Sequence, residues 1–312
     1  MVLQQSSEVA IWGWADPSEN ISVKGSWTPS DEASAMAAAD GTWRLKVNTP
    51  KAGGPYTLVI RGSNEIVLQD VLIGEVWICS GQSNMFLRMR SLRTEKSKND
   101  IEQSNFSQIR QFAVDKTYST TPKDNCHGKW LVCSPETAGN FSATAYYFGY
   151  ELNQSLKIPI GLICTSWGAT PAEAWTSKKT LTQFDEFKDQ LALLDDPGKT
   201  EESLPEASVN SSIISFKSPS VLFNNMIHPL LPWRFKGVIW YQGEANRMRA
   251  VQYRTLFPAM INDWRTHWGQ GDFPFYYVQI APFAYGKPDG LESSTTSRTG
   301  GMRKAPKRSL LA

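Results

Sequence analysis

The sequence lacks any apolar stretch near the ~20 residues that a helix needs to cross a bilayer, so we expect no membrane span. Residues 1–5 have neither the basic start nor the apolar core of a signal peptide, so no leader is expected in this chain. Neither sign of charge dominates, because 32 Lys and Arg oppose 30 Asp and Glu. This near-neutral balance has no basic stripe and argues against nucleic acid as a partner.

Cysteine is also scarce. The four cysteines, Cys79, Cys126, Cys133 and Cys164, do not have the spacing of metal ligands, so we expect no metal site. Cys126 and Cys133 lie close enough in sequence for a disulfide in an oxidising compartment. Unpaired buried thiols fit the same spacing, and both alternatives stay open.

The pattern of apolar residues changes once along the chain. Short alternating segments separated by turn clusters predict a small antiparallel β-sandwich over residues 1–70. From residue 71 onward strands alternate with helices, which predicts an α/β domain with a mainly parallel sheet over 71–312. Residues 196–219 are polar and predict an excursion loop. The tail from about residue 286 is expected to be a poorly ordered, solvated end.

Apolar runs and helical spacing locate the elements of the second domain. The predicted strands are residues 76–79, 109–114, 160–164, 238–241 and 275–280. The predicted helices follow Ser142 as N-cap, span 184–194, and span 253–264 with a bend at Pro258.

The run Gly-Gln-Ser-Asn-Met at residues 81–85 is the most informative part of the chain, because it follows directly on the first apolar strand of the sheet. A serine in such a turn places its hydroxyl beyond the carboxyl end of a strand, where ligands of α/β proteins bind. Ser83 is therefore a candidate nucleophile. Serine is a poor nucleophile unless a base takes its proton and hydrogen-bond donors stabilise the oxyanion that forms.

Two further predicted strands end in small or polar residues. Gly168 follows one of them and leaves its backbone N–H open to a ligand. Gln242, Glu244 and Asn246 follow the other. Each feature alone has an ordinary structural explanation as a turn, a bend or a helix cap. Their coincidence at strand ends of one domain favours a single crevice.

The residue types suggest roles in that crevice. Ser83 would attack an acyl carbonyl, and its own N–H, the N–H of Gly168 and the amide of Gln242 would donate to the oxyanion. A histidine would act as base, and the carboxylate of Glu244 would fix its tautomer. The other polar residues of these motifs are candidates for substrate binding: Gln82, Asn84 and Asn246.

Four sequence blocks resemble those of the SGNH (GDSL-type) hydrolases and, residue by residue, those of the sialate O-acetylesterase family. They are GEVWICSGQSNM (74–85), FSATAYYFG (141–149), GLICTSWG (161–168) and KGVIWYQGEAN (236–246). The resemblance extends to about residue 286 and includes the β-rich start found in bacterial members. It implies a three-layer α/β/α fold with Ser83 as nucleophile, Gly168 and Gln242 in the oxyanion hole and Glu244 orienting the base.

The resemblance also implies a reaction, the removal of an acetyl ester from a sugar hydroxyl, most typically at the 9-position of a sialic acid. It implies an acetylated sugar or glycan as the partner and no metal or organic cofactor. Proteins of this type usually meet their glycans outside the cytoplasm, so a periplasmic, secreted or lysosomal-type location is expected for the full-length protein.

The catalytic histidine departs from the family pattern. The family places it in an Asp-x-x-His segment near the C-terminus, and none of the three histidines of this sequence lies in such a C-terminal segment. His127 is predicted to lie in a loop and His267 on the solvent side of a helix. His228 is predicted to be a neighbour of the site and not its base. We therefore expect the chain to be a fragment, cut at both ends, with weak or no activity of its own.

Three other functions fit parts of the pattern. An acetylesterase for xylan or another glycan has the same acetyl site, since sugar selectivity comes from loops such as residues 172–235. A carbohydrate-binding fragment or pseudoenzyme keeps the crevice without turnover. A glycosidase needs two facing carboxylates, and only Glu75 and Glu173 are candidates to face Glu244, so it ranks last.

Overall fold

The computed structural model describes residues 1–28, 30–195 and 214–282. Most of the predicted excursion loop at 196–219 and the predicted tail from residue 286 lie outside the described residues. The strands are β1 (Val2–Gln4), β2 (Glu8–Trp14), β3 (Asn20–Gly25), β4 (Glu32–Met36), β5 (Thr42–Asn48), β6 (Gly53–Arg61), β7 (Glu65–Gly81), β8 (Phe106–Val114), β9 (Gly128–Cys133), β10 (Ile160–Ser166), β11 (Gly237–Tyr241) and β12 (Phe275–Tyr277). The α-helices are α1 (Ser83–Phe86), α2 (Glu95–Glu102), α3 (Ala143–Leu156), α4 (Lys178–Leu181), α5 (Lys188–Leu193) and α6 (Ala250–Trp268).

The N-terminal part consists of two antiparallel layers. β2 pairs with β5, and β3 pairs with β4 and β6. Along β5 every second residue is buried, namely Trp43, Leu45 and Val47, as the period of a half-buried strand requires. These side chains share one core with Val23 and Leu58 of the other layer. The predicted antiparallel β-sandwich is therefore present.

The long strand β7 belongs to both parts of the molecule. Its first residues pair antiparallel with β6, and its later residues pair parallel with β10 and β11. The predicted domain boundary between residues 70 and 71 lies within this one strand.

The second part is a sheet in the order β9-β8-β10-β7-β11-β12, in which only the β8–β9 pair is antiparallel. Alternate residues of β7 enter different cores. Val76 and Ile78 pack in the core that contains α6, whereas Trp77 and Cys79 pack in the core that contains α3. Since helices cover both faces of a mainly parallel sheet, the predicted three-layer α/β/α fold is confirmed.

A local cap sets the start of α3, and tertiary packing keeps α6 continuous. Ser142 caps α3, because its Oγ accepts a hydrogen bond from the N–H of Ala145 at 3.2 Å. α6 continues through Pro258 to Trp268. The neighbouring Leu256 and Met260 are fully buried against the sheet, and this packing outweighs the backbone hydrogen bond that proline cannot make.

Two predicted elements differ from the structure. The predicted helix over 184–194 is a 3-10 turn, Asp185–Phe187, followed by the short helix α5. The predicted strand over 275–280 is in register with β11 over Phe275–Tyr277, and the N–H of Val278 adds one hydrogen bond to the carbonyl of Trp240 at 2.9 Å. Within the described ranges, no helix combines the length and apolar character needed to cross a membrane.

Candidate active site

Three neighbouring strands end at the candidate site. β7 lies where the strand order reverses, because β10 and β8 flank it on one side and β11 and β12 on the other. Ser83 follows β7, Gly168 follows β10 and Glu244 follows β11. The carboxyl ends of parallel strands at such a reversal form the crevice in which α/β proteins bind ligands.

Gly81 allows the turn before Ser83 to lie against the neighbouring strand. Its φ is +138°, and a Cβ at this position would lie 2.2 Å from the carbonyl oxygen of Tyr241, so only glycine fits. The N–H of Gln82 donates to the same carbonyl at 2.9 Å, and the carbonyl of Gly81 accepts from the N–H of Trp167 at 3.1 Å. The turn that carries Ser83 is thus fixed to the ends of both β10 and β11.

Ser83 is exposed and lies beside Gly168. A Cβ built on Gly168 would lie 3.8 Å from both the Cα and the Cβ of Ser83. Within the described ranges, neither the backbone N–H of Ser83 nor that of Gly168 has a hydrogen-bond acceptor. Free N–H groups beside a hydroxyl are the arrangement that stabilises an oxyanion.

Asn84 binds one carboxylate oxygen of Glu244, and the other oxygen has no partner among the described residues. Oε1 of Glu244 accepts a hydrogen bond from Nδ2 of Asn84 at 2.8 Å. Its Oε2 is buried and has no partner in the part of the chain that the structure describes. Burying a charged oxygen without a donor is costly, so Oε2 marks the place for an incoming N–H or O–H. Burial, and then the charge of Glu244, raise the pKa of the adjacent Tyr241.

Asn84 connects the serine turn to the rest of the site. Besides its contact with Glu244, its backbone carbonyl accepts a hydrogen bond from Oγ1 of Thr144 at 2.9 Å. Its own Oδ1 has no partner among the described residues. The predicted contact of Asn84 with substrate remains a prediction that this open oxygen allows.

Gln82 requires a correction. It was predicted to bind substrate, but its side chain is buried with 3% of its surface exposed. Its Oε1 accepts hydrogen bonds from the N–H groups of Gly243 at 3.3 Å and Ala245 at 3.2 Å. Through Oε1, Gln82 therefore fixes the segment of Glu244 to the turn of Ser83.

Gln242 requires a correction as well. Its Nε2 donates to the carbonyl of Thr170 at 3.1 Å and to Oδ1 of Asn246 at 2.6 Å. Its Oε1 accepts from the hydroxyl of Tyr253 at 3.0 Å. Both amide hydrogens are used inside the protein, so this geometry leaves none for the predicted oxyanion.

Asn246 was predicted to bind substrate, and it is fully buried. Its Oδ1 also accepts from the N–H of Ala172 at 2.9 Å, and its Nδ2 donates to Glu173 at 2.8 Å. Glu173 is itself buried and pairs with Arg249. Asn246 therefore joins the segments after β10 and β11 instead of facing a ligand. Sequence reasoning did not identify this network, which has no motif of its own.

Glu75 and Glu173, the carboxylates that a glycosidase would need to face Glu244, make their contacts with other residues. Glu173 is committed to Asn246 and Arg249. Glu75 lies in β7, well before its carboxyl end, and accepts a hydrogen bond from Gln5 at 2.7 Å. These contacts do not support the glycosidase hypothesis.

All three histidines of the sequence lie in the described ranges, and none of them forms a hydrogen bond with Ser83. His228 binds a backbone carbonyl in the loop after β8. His267 is not on the solvent side of α6, as was predicted, but half-buried and 3.1 Å from the carboxylate of Asp263. The hydrogen bond that the ring N–H of His267 donates to the carboxylate of Asp263 raises the pKa of His267.

The cysteines are all free thiols. Burial raises the pKa of Cys126 and of Cys133 to about 11. Within residues 1–28, 30–195 and 214–282, no group of three or more His, Cys, Asp or Glu side chains has an arrangement that could hold a metal ion.

The fold and the turn of Ser83 together have a geometry suited to a serine nucleophile. A three-layer α/β/α sheet with an exposed serine after its central strand, flanked by N–H groups without an acceptor among the described residues, could hold an acyl group for attack.

Comparison with known proteins identifies the family. Residues 73–305 match the family model described as carbohydrate esterase, sialic acid-specific acetylesterase. The chain belongs to this family, which confirms the resemblance carried by the four sequence blocks.

Individual relatives support the same family. The chain is 34% identical to a mouse sialate O-acetylesterase, covering 91% of this chain and 59% of the relative. It is 32% identical to the human sialate O-acetylesterase, covering 90% of this chain and 55% of the relative. The chain thus spans less than two thirds of the length of these proteins. A crystal structure of a carbohydrate acetylesterase from Xanthomonas citri superposes with a TM-score of 0.82 at 33% identity, covering 97% of this chain and 63% of that one.

Proposed function

We propose that the protein is a carbohydrate O-acetylesterase that uses Ser83 as its nucleophile. The observation that carries the proposal is the exposed hydroxyl of Ser83 beside Gly168, with an unoccupied N–H on each residue. The relatives are a sialate O-acetylesterase and a carbohydrate acetylesterase, which supports the acetyl ester as the bond that is cleaved.

The reaction proceeds in two halves. Ser83 Oγ attacks the acetyl carbon while a base takes its proton, and the N–H groups of Ser83 and Gly168 stabilise the oxyanion. Collapse breaks the bond to the sugar oxygen, which leaves as an alcohol with the proton returned by the base. Water then attacks the acetyl-serine in the same way and releases acetate.

Glu244 supports the base. Asn84 fixes the carboxylate through Oε1, so that Oε2 can accept the N–H of an imidazole. A carboxylate in this position holds the imidazole in one tautomer and stabilises the imidazolium that forms during attack.

The sugar is proposed to be a sialic acid acetylated at the 9-position, with acetylxylan or another acetylated glycan as the alternative. The full-length protein is proposed to act outside the cytoplasm, where such glycans occur.

Acetate release tests this proposal. The 312-residue chain, supplied with imidazole as base, is expected to release acetate from 9-O-acetyl sialic acid faster than from acetylxylan. Enzyme-coupled detection of acetate measures both rates, and the Ser83→Ala chain gives the background at each imidazole concentration. Equal release by the two chains would contradict the assignment of Ser83.

A carbohydrate-binding module without turnover is the second candidate, and one observation favours it: no histidine of the chain forms a hydrogen bond with Ser83. It predicts saturable glycan binding that survives Ser83→Ala, together with no covalent labelling of Ser83 by an organophosphate. Labelling that requires Ser83 would exclude it.

A further inference from the structure

A fourth strand end lies beside the site. β8 is the neighbour of β10 and runs parallel to it, so its carboxyl end lies at the same edge of the sheet as Gly168. Lys116 is the second residue after β8, and it is exposed. The topology alone therefore brings a cation to the edge of the crevice, on the far side of β10 from the strand that precedes Ser83.

Aromatic rings from the segments that carry Ser83 and Gly168 contact Lys116. Its Nζ lies 4.7 Å from the ring centroid of Phe86, which ends the helix that begins with Ser83. It also lies 5.2 Å from the ring of Trp167, the residue before Gly168. Contacts of an ammonium with two ring faces restrict where the flexible lysine side chain can extend.

A second cation lies over the same ring. The guanidinium carbon of Arg88 is 5.7 Å from the centroid of Phe86. Trp167 is in turn stacked on Phe216, at 4.7 Å between centroids and 7° between planes. The rim of the crevice is thus an aromatic cluster with positive charge upon it.

These charges have no counter-ion in the part of the chain that the structure describes. Neither Lys116 nor Arg88 has a carboxylate within 4.0 Å among residues 1–28, 30–195 and 214–282. Lys96 is a contrasting case in the same protein. Its ammonium lies 4.9 Å from the ring of Tyr147 but also pairs with the carboxylate of Asp100. Lys116 and Arg88 both contact the ring of Phe86, and an anion bound near them would offset their two positive charges.

We propose that Lys116, with Arg88 beside it, binds an anionic group of the acylated sugar and selects acidic over neutral substrates. This inference rests on the proposed function of the same site. The carboxylate of the sugar accepts a hydrogen bond from Nζ of Lys116, while the rings of Phe86 and Trp167 keep that ammonium in place. Attack by Ser83 does not require the contact, so Lys116 determines substrate choice and not the chemistry.

The test compares two versions of one substrate. An O-acetylated acidic sugar and the same sugar with its carboxylate converted to a neutral carboxamide are hydrolysed in the presence of imidazole. Lys116→Met is expected to raise KM for the carboxylate form about tenfold, with kcat unchanged. KM for the carboxamide form should stay the same.

Three comparisons make the result specific. Lys116→Arg should retain the preference for the carboxylate form, because it keeps the charge. Lys96→Met, which also removes an ammonium from an aromatic ring, should change neither KM. Raising the salt concentration should raise KM for the carboxylate form in the unmodified chain and have little effect in Lys116→Met. An equal change of KM for both forms in Lys116→Met, or no change, would overturn the inference.

Binding separates this inference from the proposed function. The deacetylated acidic sugar, titrated into the chain by calorimetry, is expected to bind about tenfold more weakly to Lys116→Met and unchanged to Lys96→Met. If that difference appears without any Ser83-dependent acetate release, the inference stands and the proposed function fails. If acetate release depends on Ser83 but does not differ between the carboxylate and carboxamide substrates, the proposed function stands and the inference about Lys116 fails.

Discussion

The 312-residue chain is expected to hydrolyse an aryl acetate slowly and to gain rate when imidazole is added, and Ser83→Ala is expected to lose that gain. A positioned base contributes about 10²–10⁴-fold to such a reaction, and no histidine of this chain forms a hydrogen bond with Ser83. Free imidazole can take the proton of Ser83, and the unpartnered Oε2 of Glu244 is the acceptor that its other N–H requires. Imidazole should recover about tenfold or more of the missing rate.

The Ser83→Ala chain is also the matched control, since imidazole by itself hydrolyses aryl acetates. The quantity of interest is the difference between the two chains at each imidazole concentration. High activity of the unmodified chain without imidazole would contradict the account. If His228→Gln then abolished that activity, His228 would be the base.

Gly168→Val should be the most damaging single change that leaves Ser83 intact. The Cβ of the new side chain fits, because it lies 3.8 Å from Ser83, which is an ordinary van der Waals separation. The two methyl groups beyond it would enter the space beside the hydroxyl where the oxyanion forms. Loss of one oxyanion donor typically costs ~10²–10³ in kcat, and we expect a loss of that size.

Gly168→Ala is the control for this prediction. Its single added carbon makes only the 3.8 Å contacts, so kcat should fall far less than in Gly168→Val. The kcat values come from imidazole-supplemented rates on an aryl acetate, and thermal unfolding checks that both variants are folded. Similar kcat values for the two variants would contradict the assignment of Gly168 to the oxyanion hole.

The sequence was sufficient to predict the fold class because the spacing of apolar residues differs clearly between the two parts of the chain. The alternation in residues 1–70 and the buried strands from 76–79 onward both follow from the spacing of apolar residues. Local signals failed where tertiary packing decides the outcome. The predicted helix over 184–194 breaks into a 3-10 turn and α5. The helix predicted over 253–264 is present within α6, which also contains Pro258.

The site was predictable to the level of segments and not of side chains. Ser83 and Gly168 lie together because they follow adjacent strands, which the element pattern implies. Gln242 and Asn246 have the same polar character as a ligand contact, yet each satisfies buried groups of the protein. Residue type does not tell which way a side chain points, and the partners of a buried amide are set by distant segments.

Lys116 shows a signal that the sequence did contain. The strand at 109–114 was predicted, and the residues just after its carboxyl end are the place to look for ligand contacts. Without the order of strands in the sheet, the end of β8 could not be placed beside that of β10. Phe86 and Trp167 contact Lys116 only through the fold.

A crystal structure of the chain after reaction with an aryl phosphonate, in the presence of imidazole, tests the central claim most directly. The adduct places a charged phosphoryl oxygen where the oxyanion of ester hydrolysis forms. The account predicts phosphorus bonded to Oγ of Ser83, with that oxygen about 2.7–3.1 Å from the backbone nitrogens of Ser83 and Gly168. An adduct on another residue, or a phosphoryl oxygen outside hydrogen-bond distance of both nitrogens, would contradict it.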